Sequence, residues 1–238
     1  MYRIFNTLET QVPLNPQVEE LYNKVTQLCE VNNIRFRLNK KIFRDKTFGS
    51  TELLGNYLCI DLDPDLEYSS NNKKALAVFT HELGEALYRL NNIPFTMIGD
   101  CSGNECLFKT LLKETFVHNY INYLVNKHNL ENIIAPINRE NNTLKNKYNS
   151  EAPKYFKIIS ACWEIITRPY NNCNKENVTY YTEVKSEIDK ILNILDKIDY
   201  EKNNHDAIKA SIESIINILN DNGLKYEIVI DYPLTYES

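Results

Sequence analysis

The chain lacks the features that mark secreted, membrane-embedded and nucleic-acid-binding proteins. No apolar run reaches the length of a signal peptide or a membrane span, and the opening stretch Met1-Tyr-Arg-Ile-Phe-Asn-Thr-Leu-Glu is broken by polar residues throughout. A cytoplasmic location without membrane attachment is expected. Cys29, Cys59, Cys101, Cys106, Cys162 and Cys173 include no Cys-x-x-Cys pair, so neither a zinc ribbon nor a thioredoxin-like redox site is indicated. Cys101 and Cys106 match no common metal clip, and the cysteines read mostly as small buried apolar residues. There is no basic excess: the formal charge of -5 and pI near 5.5 argue against broad electrostatic binding to nucleic acid. A helix-turn-helix segment and an internal repeat are equally missing, and the frequent Asn-Asn pairs read as compositional bias.

What is present is ordinary for a globular protein, with 43% hydrophobic and 25% charged residues. Asn15-Pro begins an amphipathic helix on which Val18, Leu21, Tyr22, Val25 and Leu28 recur at helical spacing. Ile34-Arg-Phe-Arg-Leu alternates like a half-exposed strand, Gly49 and Gly55 punctuate the residues after it, and Asn56-Tyr-Leu-Cys-Ile-Asp-Leu-Asp reads as a second strand ended by Pro64. From Asn71 or Asn72 to about Asn91 a helix is expected, with Leu76, Phe79, Leu83, Ala86, Leu87 and Leu90 on one side. After a loop with Gly99 and Gly103, a second long helix runs from about Glu105 to His128. Residues 131–150 are rich in Asn and Lys and read as a linker. Tyr155 to Ile166, Glu183 to Ile198 and Ala207 to Leu219 read as helical, and Tyr226-Glu-Ile-Val-Ile-Asp-Tyr as a last strand. Trp163, with Tyr155, Phe156 and Ile159, reads as a core anchor, while His128 and His205 are expected at the surface.

The middle of the first long helix carries His81-Glu82-Leu83-Gly84-Glu85, one residue away from the zinc-peptidase pattern His-Glu-x-x-His. That pattern works because positions i and i+4 share a helix face, so two side chains can grip one ion while the intervening glutamate accepts a proton from an activated water. Here Glu85 stands at i+4; carboxylate is an accepted zinc ligand, so His81 and Glu85 can still reach one ion. The second long helix carries Glu114 and His118, again at i and i+4. Taken alone they read as a solvated helical pair.

Gly55-Asn-Tyr-Leu-Cys-Ile-Asp-Leu, Ala77-Val-Phe-Thr-His-Glu-Leu-Gly-Glu-Ala-Leu and Lys113-Glu-Thr-Phe-Val-His-Asn-Tyr-Ile-Asn-Tyr-Leu together resemble the ImmA/IrrE family of metallopeptidases, over roughly residues 17 to 128. The resemblance implies His81 as first metal ligand, Glu82 as general base, Glu85 in the second ligand position and Glu114 in the third. It also implies an exchange in which His118 returns the imidazole that Glu85 replaces. The expected fold is α+β: a zincin-like domain over 1–130, a small sheet on an active-site helix and a partner helix, then the 131–150 linker and a mainly helical region over 151–238.

Ligand charge separates the chemistries. His81, Glu85 and His118 contribute one negative charge and suit a hydrolytic zinc, whereas His81, Glu85 and Glu114 contribute two and shift preference toward manganese. The resemblance implies a zinc-dependent endopeptidase acting on a protein or peptide, with a transcriptional regulator as the associated substrate, and Tyr120 is a candidate to steady an oxyanion. The alternative is a pseudo-peptidase that has lost turnover through Glu85 and binds a regulatory partner.

Overall fold

Among the described residues, four helices end on a residue in the left-handed region, and three of those residues are asparagine. Asn33 (φ 54°), Asn92 (φ 53°) and Asn129 (φ 53°) follow α1 (Pro16–Val31), α2 (Lys73–Leu90) and α3 (Asn104–His128), while Gly223 (φ 94°) follows α7 (His205–Asp221). Asparagine tolerates this region better than other residues that carry a Cβ, and a left-handed residue there lets the next amide turn back to satisfy an orphaned helix carbonyl. The amides of Ile34, Leu130 and Leu224 donate to the carbonyls of Cys29, Val125 and Leu219 at 2.8, 2.9 and 3.0 Å, and each of the three side chains then turns into the core. The Asn-Asn pairs, expected to be mere bias, therefore have structural work: Asn32-Asn33 and Asn91-Asn92 stop helices, and Asn204 of Asn203-Asn204 caps the start of α7 by accepting from the Ala207 amide.

The computed structural model describes residues 15–43, 48–64, 73–98, 103–134, 152–171 and 182–234. The architecture is mixed α and β. Besides the helices named, it has β1 (Arg35–Lys40), β2 (Gly49–Leu54), β3 (Tyr57–Leu62), β4 (Phe95–Ile98), α4 (Glu131–Ile134), α5 (Lys154–Asn171), α6 (Lys185–Asp196) and β5 (Ile228–Asp231). Among the described residues, no helix is long and apolar enough to cross a membrane. The chain forms two compact units, one from residues 15–92 and 123–134, the other from 93–122 and 152–234.

In the first unit β3 is central, parallel to β1 and antiparallel to β2. Leu58, Ile60 and Leu62 of β3 are fully buried, and Thr51 and Leu53 of β2 share that inward face, on which α2 packs. Alternation along β2 puts Glu52 and Leu54 outward. Gly55, at φ 56°, opens the two-residue turn to β3, where positive φ matches the twist of a hairpin. The strand β2 goes unannounced in the sequence, because its flanking glycines read as punctuation; β4 is equally silent, being four residues long and placed directly after Pro94. Helix α1 begins as expected, with the Asn15 side chain accepting from the Gln17 amide at 3.0 Å, and lays Val18, Leu21, Val25 and Cys29 inward. Its Tyr22 ring sits against Phe36 of β1 and Phe79 of α2.

In the second unit α5, α6 and α7 pack together through stripes such as Ile188, Ile191 and Leu195 facing Ile208, Ile212 and Ile215, and β4 pairs antiparallel with β5. Asn119 of α3 donates to the Leu195 carbonyl and to the Tyr200 hydroxyl, both at 3.1 Å. Trp163, Phe156 and Ile159 are buried, as expected of a core anchor. Of the expected 131–150 linker, residues 131–134 form α4 and the remainder lies outside the described residues, as do Cys101 and Cys173.

The left-handed asparagines give a direct stability test. Asn33→Gly should leave the urea midpoint unchanged or slightly higher, whereas Asn33→Val should cost about 1–2 kcal/mol, the penalty of a branched side chain in the left-handed region. Equal midpoints for the two variants would remove the capping role.

Candidate metal centre

Helix α2 is buried on nearly every side: from Ala75 to Leu90 only Glu85 and Arg89 are half-exposed. A helix enclosed by α1, β2, β3 and α4 should be apolar all round, yet it carries His81 and Glu82 at 6% and 4% exposure. Buried imidazole and carboxylate are costly unless something compensates them, so their surroundings identify what the site is built for.

Among the described residues, His81, Glu82 and Glu85 form a cluster in which one donor atom from each lies within 4.8 Å of the others. The tightest pair is His81 Nε2 and Glu85 Oε1, 3.4 Å apart across one helical turn. Two ligand atoms placed about 2.0–2.2 Å from a zinc ion at the tetrahedral angle stand about 3.4 Å apart, so these side chains fit two corners of such a site as they stand. The donor chemistry, one imidazole nitrogen and one carboxylate oxygen, is that of catalytic zinc.

Glu82 leans the other way, toward β2. Thr51 Oγ1 donates to Glu82 Oε2 at 2.8 Å and lies 3.1 Å from the Glu82 backbone carbonyl. Gly49, two residues earlier on the same face, makes the space: a Cβ built there would stand 2.7 Å from Glu82 Oε1 and 2.9 Å from its Cγ. The strand is locked to the helix by Arg89, whose Nη2 donates to the Thr51 carbonyl at 2.9 Å and stands 3.5 Å from Glu85 Oε2. Glu85 thus faces His81 with one oxygen and Arg89 with the other. Arg89 extends the 81, 85 series by one more turn, and that i+4 spacing was the sequence signal for it. Gly49 and Thr51 had none, because a contact spanning 31 residues leaves no local pattern.

Glu114 and His118 lie on α3 within the second unit, where they face one another: His118 Nδ1 is 3.4 Å from Glu114 Oε2. The expected solvated pair is not what forms, since the His118 side chain is 3% exposed. Its Nδ1 is 2.8 Å from the Glu114 backbone carbonyl, which can only accept, so this nitrogen carries a proton. Tyr120 is buried and packs edge-on against Tyr200 at 5.1 Å. His128, expected at the surface, is half-buried with Nδ1 3.4 Å from Glu20 Oε1, and His205 is also half-buried. Cys29 and Cys162 are core residues; burial, with Glu30 adding, pushes the Cys29 thiol up to about 11, so it is an inert apolar group at neutral pH.

The Gly49 contact is testable without any ligand. Gly49→Ala should cost about 1–3 kcal/mol by overpacking against Glu82, and the cost should shrink to a few tenths when Glu82 is first shortened to alanine. An equal cost in both backgrounds, read from urea unfolding, would place the strain elsewhere. The chain matches no protein-family model, no curated protein and no solved structure.

Proposed function

We propose that this protein is a metal-dependent hydrolase, a zinc peptidase of the ImmA/IrrE type with a zincin-like first unit, in which His81 and Glu85 hold the metal and Glu82 is the general base. The observation that carries the proposal is the 3.4 Å separation of His81 Nε2 and Glu85 Oε1 on a helix whose residues 75–84 are all buried. Zinc held there supplies a Lewis acid that polarises a scissile carbonyl and acidifies water toward about pH 7. Glu82, anchored beside the pair by Thr51, is placed to accept the proton of the attacking water and later return it to the leaving amine. Arg89, 3.5 Å from the second oxygen of Glu85, holds that carboxylate turned so that a single oxygen faces His81.

The natural substrate class on this reading is a protein or peptide, with a transcriptional regulator as the example the resemblance suggests.

A second reading is favoured by the Arg89 contact. His81, Glu85 and Arg89 form a charge series that closes on itself when His81 is protonated, as in a scaffold that has given up turnover and binds a regulatory partner. Metal content and turnover separate the two. Protein purified without an affinity tag should carry about one equivalent of zinc, lost in His81→Ala; Glu82→Gln should keep the zinc while peptide hydrolysis falls by at least about 10²-fold, the lower range for general-base catalysis. Wild-type protein that takes up no metal would leave only the second reading.

A further inference from the structure

The three clustered donors pose a question that the peptidase reading leaves open: why Glu82, whose carboxylate lies within 4.8 Å of the His81 and Glu85 donors, should act as a base and not simply become a metal ligand. A glutamate has three rotatable side-chain bonds, and a staggered rotation moves its carboxylate by several ångströms. Zinc has four places to fill and takes carboxylate oxygen readily. Something must hold Glu82 back.

We propose that Thr51 is a positioning residue whose hydroxyl keeps the Glu82 carboxylate out of the metal's coordination sphere, with Gly49 providing the space into which that carboxylate is drawn. The inference rests on the metal reading above. Three observations carry it. The Thr51 hydroxyl donates to Glu82 Oε2 at 2.8 Å, between side chains that are both buried. Thr51 itself cannot follow Glu82 if the carboxylate moves, because its strand is paired with Ile60 of β3 and its carbonyl accepts from Arg89 at 2.9 Å. On the same strand face, position 49 is the one residue type that leaves room: any side chain would put its Cβ 2.7 Å from Glu82 Oε1 and 3.0 Å from Cδ. A strand pinned at both ends of the contact thus pulls Glu82 one way while His81 and Glu85 face each other. Satisfying a buried carboxylate would need only a donor; drawing it into a gap made by a glycine fixes its direction as well.

The full-length chain tests this through metal binding, with zinc affinity from chelator competition and coordination from the visible absorption of the cobalt(II)-loaded protein. In wild type, Glu82→Gln should change zinc affinity by less than about threefold and leave the cobalt spectrum as it was, because Glu82 is outside the coordination sphere. Thr51→Val removes the hydroxyl at nearly constant shape and should free Glu82 to coordinate. Zinc then binds at least about tenfold more tightly, the cobalt bands change in position and intensity, and both changes vanish in the Thr51→Val, Glu82→Gln double variant. Thr51→Ser restores the hydroxyl and should behave as wild type. Should Thr51→Val fail to fold, Gly49→Ala pushes the same carboxylate from the other side with the hydroxyl intact and should give the same Glu82-dependent gain.

Unchanged or weaker zinc binding in the folded variant overturns the proposal. So does a spectral change that survives Glu82→Gln, or a tenfold loss from Glu82→Gln in the wild-type background, which would make Glu82 a ligand already. Wild-type protein that binds neither zinc nor cobalt is a different failure: the metal reading itself falls, and this inference with it.

Discussion

A helix surrounded on almost every side must find a partner for each polar group it carries, and α2 carries an imidazole and two carboxylates within five residues. That constraint organises the first unit around it. Glu82 is met by Thr51 and Glu85 by Arg89, and Arg89 closes back on the carbonyl of Thr51. The sheet and the helix are therefore joined by polar contacts from β2 as well as by the packing of α2 on β2 and β3. Removing any one partner would strip a buried polar group of a hydrogen bond, at a cost of about 1–3 kcal/mol, so the polar ring is as much part of the core as the leucines are.

Such a ring can arise for stability alone, and charged groups buried for that purpose are a poor bargain compared with apolar residues of the same volume. What argues for chemistry is direction. Glu82 is turned toward β2, while His81 and Glu85 converge at a spacing that a tetrahedral zinc would require. Adjacent helix positions point about 100° apart, so the side chain at 82 and the pair at 81 and 85 naturally occupy different directions from one short motif. Thr51 and Gly49 turn that tendency into a fixed arrangement.

Much of the fold was legible because helical periodicity is a local property. The spans of α1, α2, α3, α6 and α7 follow from apolar spacing, and the candidate cluster follows from the i, i+4 rule applied to His81 and Glu85. Three kinds of information were not legible. The strand β2 hides because six residues that start on Gly49 and stop before Gly55 carry little periodicity, and its role depends on what lies across from it. The asparagine pairs hide because the same dipeptide occurs within helix ends and outside them; only a φ angle tells that Asn33, Asn92 and Asn129 replace the glycine that commonly ends helices. Thr51 and Gly49 hide because their meaning lies in Glu82, a contact that no spacing rule connects.

The central claim is that imidazole and carboxylate from one turn of α2 bind a single zinc ion. X-ray absorption at the zinc edge, on the full chain loaded with one equivalent, tests it most directly. The account predicts a first shell of nitrogen and oxygen only, at about 2.0–2.2 Å, with outer-shell imidazole scattering, and no zinc retained by His81→Ala after the same loading. A sulfur shell at about 2.3 Å, or a spectrum indifferent to His81, would contradict it.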